Sequence, residues 1–135
     1  MAPQPRGRFT LGGTEVIGGP FEACPADVFS ICLEERAANA WLADILLPTP
    51  DFGTPEPAAL REAVRRTLEA MAEQPGRPVF IGCLAGLGRT GLFMACLAKA
   101  SGIEEDPVLF IRRVYQPHAV ETPAQQAVVR AFSLG

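Results

Sequence analysis

Val79-Phe80-Ile81-Gly82-Cys83-Leu84-Ala85-Gly86-Leu87-Gly88-Arg89-Thr90-Gly91 is the stretch on which the reading of this chain turns. An apolar, β-type segment ends on Cys83. Glycines at 86, 88 and 91 follow, and a helical pattern opens at Arg89. A cysteine six residues ahead of an arginine, across a Gly-rich turn, can hold a nucleophile and an anion binder on one small oxyanion. The amides from Leu84 to Arg89 can form a concave nest at the start of the helix. Gly86 and Gly88 permit the tight or left-handed backbone that such a nest needs. Arg89 offers a planar fork for two phosphate oxygens, which lysine lacks. A helix N-terminus and a nearby cation both favour the thiolate of a cysteine so placed. The Thr90 hydroxyl can donate to that thiolate. The arrangement suits attack on phosphorus.

Working outward, strands and helices alternate. Phe9 to Leu11 and Glu15 to Ile17 flank Gly12-Gly13-Thr14 and predict a hairpin. Asp27 to Leu33 reads as a buried strand, Glu34 to Asn39 as a short helix, and Leu42 to Leu47 as a strand. Pro48-Thr49-Pro50-Asp51-Phe52-Gly53 is irregular, with two prolines so close together. Thr54-Pro55 reads as a cap and first turn. Leu60, Val64, Leu68 and Met71 recur at helical spacing, which predicts a helix over 56–74. Pro78 to Cys83 is a strand, and Arg89 to Ser101 a mostly apolar helix ended by Gly102. Asp106-Pro107 caps a helix running to Tyr115. Thr122-Pro123-Ala124-Gln125 fits a capping box for a last helix reaching Phe132. The expected fold is an α/β three-layer sandwich with a mostly parallel central sheet of about four or five strands flanked by helices. Ligands of such sheets sit beyond the carboxyl ends of the strands, where Cys83 falls.

Other readings of the loop fare worse. Gly86-x-Gly88-x-x-Gly91 spells a dinucleotide fingerprint, but that motif needs a further strand carrying an acidic residue about 20 positions on, and the next segment is helical. The nucleoside-triphosphate loop fails because Cys83 stands where its first glycine belongs and Arg89 replaces its lysine. A purely structural strand–turn–helix leaves Arg89 without a purpose. Expelling an alkoxide or phenoxide from phosphorus also needs an acid, which typically contributes ~10²–10⁴-fold. Asp51 is the candidate, in a proline-bounded loop directly after a strand. Alone it would read as a turn aspartate; beside the Cys83 loop it reads as the acid. Asp44 is the weaker candidate because it lies within the strand pattern.

Cys83-x-x-Gly86-x-x-Arg89-Thr90-Gly91 resembles the signature loop of the cysteine-based protein tyrosine phosphatases. Leu47 to Pro57 is similar to the general-acid loop of their small, atypical dual-specificity members. Ala119-Val120-Glu121-Thr122-Pro123-Ala124-Gln125, followed by Phe132, is similar to their C-terminal helix. The resemblance covers Asp27 to Phe132. It implies Cys83 as nucleophile forming a cysteinyl-phosphate, with Arg89 and the amides of Leu84, Ala85, Gly86, Leu87 and Gly88 holding the phosphoryl group. It implies Asp51 as acid and then base, and Thr90 as an aid to thiolate departure, with no metal and no cofactor. The substrate class implied is a phosphorylated protein or small phosphomonoester, with phosphotyrosine and also phosphoserine or phosphothreonine admitted by a shallow site. The chain departs from the family at Gly82, where the family has a histidine that organises the loop and keeps the cysteine acidic. The expectation is therefore an active enzyme with a less acidic thiol than its relatives. The alternatives are a catalytically weak phosphate-binding module, motivated by Gly82, and a sulfurtransferase or arsenate-handling enzyme, against which Asp51 speaks.

Composition bounds the rest. The 135 residues predict a single domain, and 48% hydrophobic with 20% charged residues predicts a globular chain. A net charge of −3 and no basic tract speak against nucleic acid. No run approaches the ~18 apolar residues of a membrane span, and MAPQPRGRFT lacks the apolar core of a signal peptide. The expected location is cytoplasmic, with Cys24, Cys32, Cys83 and Cys96 as free thiols. With one histidine, His118, and no Cys-x-x-Cys pair, a zinc site is not expected. Cys32 and Cys96 read as core residues, as do Trp41 and Tyr115. Arg112 and Arg113 read as a solvated helix face, His118 as a loop residue, and Gln125 as a cap rather than a water-orienting group.

Overall fold

The computed structural model describes residues 2–135. The Gly12-Gly13 turn joins β1 (Gly7–Leu11) to β2 (Thr14–Pro20) as the expected hairpin. Three further strands are β3 (Phe29–Cys32), β4 (Ile45–Leu46) and β5 (Val79–Cys83). They form one five-stranded sheet in the order β1-β2-β5-β3-β4, in which only the β1–β2 pair is antiparallel. β5 lies between β2 and β3 and is buried along its whole length, as its unbroken apolar run requires.

Four helices follow: α1 (Pro57–Glu73), α2 (Gly88–Ala100), α3 (Pro107–Val114) and α4 (Pro123–Ala131). α2 is the central one, with Gly88 to Ala98 all buried. Buried side chains of all four helices join Ile31, Ile45 and Ile81 in one large core. On the opposite face, Ile17, Phe21, Cys32 and Phe80 form a smaller core. It is covered by two short 3-10 turns, Phe21–Ala23 and Ala40–Leu42. The sheet thus lies between a thick helical layer and a thin layer of turns.

Caps explain the helix ends. Asp106 accepts from the Leu109 amide, and Thr122 and Gln125 form the reciprocal capping box. α1 begins later than Thr54-Pro55 suggested. Its cap is Glu56, whose carboxylate accepts from the amides of Ala58 and Ala59, and its first-turn proline is Pro57. A residue preceding proline is pushed out of helical geometry, so Glu56 must stand outside the helix.

Two other expectations fail between β3 and α1. No helix spans Glu34 to Asn39, because the Glu34 side chain accepts from the Arg36 amide at 2.9 Å and closes a local turn. The strand expected over Leu42 to Leu47 shrinks to Ile45–Leu46. Leu42 belongs to a 3-10 turn, and the Asp44 carboxylate takes the Ser30 amide at 2.8 Å in place of a ladder bond.

Candidate active site

Cys83 ends β5 with its side chain on the side of the large core, 3% exposed. Its Sγ accepts from the Gly86 amide at 3.2 Å and from the Thr90 hydroxyl at 3.1 Å. Gly86 sits at φ +80°, and a Cβ there would stand 2.8 Å from the Gly19 carbonyl oxygen. The loop is therefore packed directly on the backbone at the end of β2. The glycine is required both by its φ and by that close approach. Gly88 opens α2, so the positive end of a thirteen-residue helix faces the loop.

Arg89, in the first turn of α2, is 3% exposed. Its Nη1 donates to Glu34 Oε1 at 3.1 Å and to the Thr49 carbonyl at 2.8 Å. One edge of the guanidinium is spent on Glu34 and Thr49, and on the other edge Nη2 faces Asp51. Glu34 is itself buried, and its second oxygen takes both Nε and the amide of Arg36. The hydrogen bond from Arg36, reinforced by Arg89 against the cost of burial, holds the Glu34 carboxyl down at about 2. Glu34 is thus an ionised strut that fixes the plane of Arg89. Sequence reading missed it. Its one signal is a glutamate directly following the apolar run Ile31-Cys32-Leu33, at the carboxyl end of a strand.

Asp51 reaches the same place from the Pro48–Gly53 segment. Its Oδ1 lies 3.5 Å from Arg89 Nη2 and also accepts from the Phe52 amide at 3.0 Å. A Gly53 N–H to Pro50 carbonyl bond of 2.8 Å closes the turn, with Phe52 at φ +60°. Gln125, wholly buried, ties this turn down by donating from Nε2 to the Gly53 carbonyl at 3.1 Å, while its Oε1 accepts the Thr122 amide. Gln125 is therefore more than the cap expected of it. Cys83, Arg89, Thr90 and Asp51 are brought together, whereas Asp44 is held on β3 by Ser30, away from the cluster.

Gly82 has a steric cause. A Cβ there would stand 2.7 Å from Phe21 Cα and 2.9 Å from the Phe21 nitrogen, so the Phe21–Ala23 turn excludes any side chain. Lesser readings change as well. Trp41 is 80% exposed and does not pack in the core. Tyr115 is buried, yet its hydroxyl donates to the Gly86 carbonyl at 2.6 Å. Arg112 is not a solvated group: it braces the loop before α4 through the carbonyls of Ala119 and Val120. Arg113 is exposed and paired with Glu105, and His118 is an exposed loop residue. Cys32 and Cys96 are fully buried, and all four thiols are free. Among the described residues no cluster of His, Cys, Asp or Glu could hold a metal ion, and no helix is long and apolar enough to cross a membrane.

Comparison with known proteins places the chain in a family and the fold among solved structures. The family described as "Polymorphic toxin system, DSP-PTPase phosphatase" matches residues 31–102, more than half of the chain. The chain belongs to that DSP-PTPase family. Among relatives, protein tyrosine phosphatase domain-containing protein 1 of Mus musculus is 33% identical over 62% of this chain and 11% of its own length. Receptor-type tyrosine-protein phosphatase V of Rattus norvegicus is 33% identical over 56% of this chain and 5% of its own. The chain thus spans a small part of these curated relatives. Of solved structures, the active form of Tk-PTP is 27% identical with a TM-score of 0.72, covering 96% of both chains. Kinase associated phosphatase (KAP), at 16% identity and a TM-score of 0.72 over 96% of this chain and 93% of that one, shares the fold. The DSP-PTPase match begins at Ile31, so Glu34, Asp51 and the Cys83 loop all lie within it.

Proposed function

We propose that this chain hydrolyses phosphate monoesters through a cysteinyl-phosphate. The observation that carries the proposal is the Asp51 carboxyl 3.5 Å from the Arg89 fork, beside a loop in which Thr90, the next residue, donates to the Cys83 sulfur at 3.1 Å. The phosphoryl group lies in the nest of amides from Leu84 to Arg89, with Nε and Nη2 of Arg89 on its oxygens. Sγ attacks phosphorus, the bond to the leaving oxygen breaks, and Asp51 gives that oxygen its proton. Water then attacks the same phosphorus and loses a proton to Asp51. The P–S bond breaks, returning thiolate and inorganic phosphate. Thr90, donating to Sγ, stabilises the departing sulfur. No metal or cofactor takes part in this scheme.

The substrate is a phosphorylated protein, with phosphotyrosine preferred and phosphoserine or phosphothreonine admitted. Phe52 and Leu84, each next in sequence to a reacting residue, are 62% and 57% exposed. They offer an aryl group an apolar rim. Residues 1–135 make up one phosphatase-like domain that acts in the cytoplasm and contacts neither nucleic acid nor membrane. The test is turnover of p-nitrophenyl phosphate by wild type, Cys83→Ser and Asp51→Asn. Cys83→Ser should abolish turnover, and Asp51→Asn should lower kcat by about 10²–10³. Activity surviving Cys83→Ser refutes the mechanism. Phosphate binding without turnover in the wild type points instead to a binding module.

A further inference from the structure

Gly86 presents its two backbone groups to different partners. Its N–H goes to Cys83 Sγ, and its carbonyl goes to Tyr115 Oη. The peptide joining Gly86 to Leu87 is trans, so its C=O and N–H point in opposite directions. Drawing the carbonyl to Tyr115 therefore turns the Leu87 N–H the opposite way, away from the tyrosine. Two strands make room for the ring that does this. A Cβ at Gly18 on β2 would stand 2.7 Å from Tyr115 Oη, and one at Gly7 on β1 would stand 3.0 Å from its Cδ1. The hydroxyl is held well inside the fold, since Tyr115 is only 7% exposed.

We propose that Tyr115 is a positioning residue of the phosphate cradle, setting the Gly86–Leu87 peptide so that the loop amides face the phosphoryl group. The inference rests on the phosphatase reading above and assigns a task to a side chain outside the reacting set. Position 82, which immediately precedes the nucleophile, has no side chain to share in holding the loop and no space for one. Burial, with the charge of Cys83 adding to it, pushes the Tyr115 hydroxyl well above its ordinary ionisation range, so it stays protonated and remains a donor throughout neutral pH.

The experiment measures how well inorganic phosphate protects Cys83 from iodoacetate in the whole chain, for wild type, Tyr115→Phe and Lys99→Ala. Tyr115→Phe removes one oxygen and keeps the ring. It should raise the half-protecting phosphate concentration about tenfold, the worth of one well-made hydrogen bond. It should lower kcat/KM by a similar factor on phenyl phosphate and on 2,4-dinitrophenyl phosphate alike, because the cradle serves both. Lys99→Ala loses the hydrogen bonds to the Val129 and Arg130 carbonyls, at the end of α2 opposite the cradle. It should lower the Tm and leave protection unchanged. Phosphate protection within about twofold of wild type in a folded Tyr115→Phe overturns the proposal. No protection in the wild type overturns the phosphatase reading instead. Tyr115 is the single tyrosine of the chain, so 3-fluorotyrosine labels it alone and supplies a second measurement should the variant not fold. Its ¹⁹F resonance should shift on saturation with phosphate, and an unmoved resonance is equally fatal to the idea.

Discussion

Glu34 carries a charge inside the fold, and Arg89 depends on it. Removing one partner of a buried pair costs about 3 kcal/mol, so Glu34→Ala should be strongly destabilising and should weaken phosphate binding through a loosened Arg89. The pH dependence has a definite sign. The folded carboxyl is held at about 2, below its ordinary value of 4.5, so its contribution is complete above that ordinary value and fades as the pH falls toward 2. Urea unfolding of wild type and Glu34→Ala across this range should therefore give curves that converge on acidification. A gap that widens in acid removes this account of the strut. Cys83 and Arg89 could be read from the sequence because their spacing is short and local. Asp51, which lies 3.5 Å from Arg89, could be singled out because the proposed phosphoryl transfer demands an acid and a loop aspartate was at hand. Glu34 could not, since it meets Arg89 across 55 residues and its own neighbourhood looked helical. Tyr115 and Gln125 were legible as buried or capping residues, but their second partners, Gly86 and Gly53, are set by tertiary packing alone.

The Pro48–Gly53 turn and α4 act as a pair through Gln125. Losing the Nε2 bond to Gly53 frees the turn that carries Asp51, so the damage should track the need for an acid. Gln125→Met is expected to cut kcat/KM on phenyl phosphate roughly tenfold, since misplacing a reacting group is costly. On 2,4-dinitrophenyl phosphate, whose leaving group departs unaided, the loss should be slight. Equal losses on the two esters mean that Gln125 serves only stability. The Asp51→Asn background should erase the difference. The helices themselves were legible from caps and periodicity. The exceptions are the helix expected over Glu34 to Asn39, which does not form, and the start of α1, where the effect of Pro57 on Glu56 outweighs the attraction of Thr54-Pro55 as a beginning. The short β4 was overestimated because Asp44, read as part of a strand, spends its carboxylate on Ser30.

The two faces of the sheet are unequal. The helical face has a large, continuous core around α2, whereas the opposite face has a handful of apolar residues under 3-10 turns. Hydrogen exchange should therefore find the amides of Cys24, Ala37 and Ala43 opening at much lower free energy than those of β5 and α2. Uniform protection across both layers contradicts this. Burial also pushes the thiols of Cys24 and Cys32 up to about 11 and that of Cys96 to about 12. Alkylation of the intact protein near neutral pH should then mark Cys83 ahead of all three, as peptide mapping would report. The thin layer was hardest to foresee, because its turns bury little and follow no period. It nonetheless governs what descent can do with this protein. With the Phe21 backbone resting on position 82, a histidine cannot be accommodated there by that one substitution in this fold. The Phe21–Ala23 segment must be remodelled first, so the order of any such pair of changes is fixed by geometry.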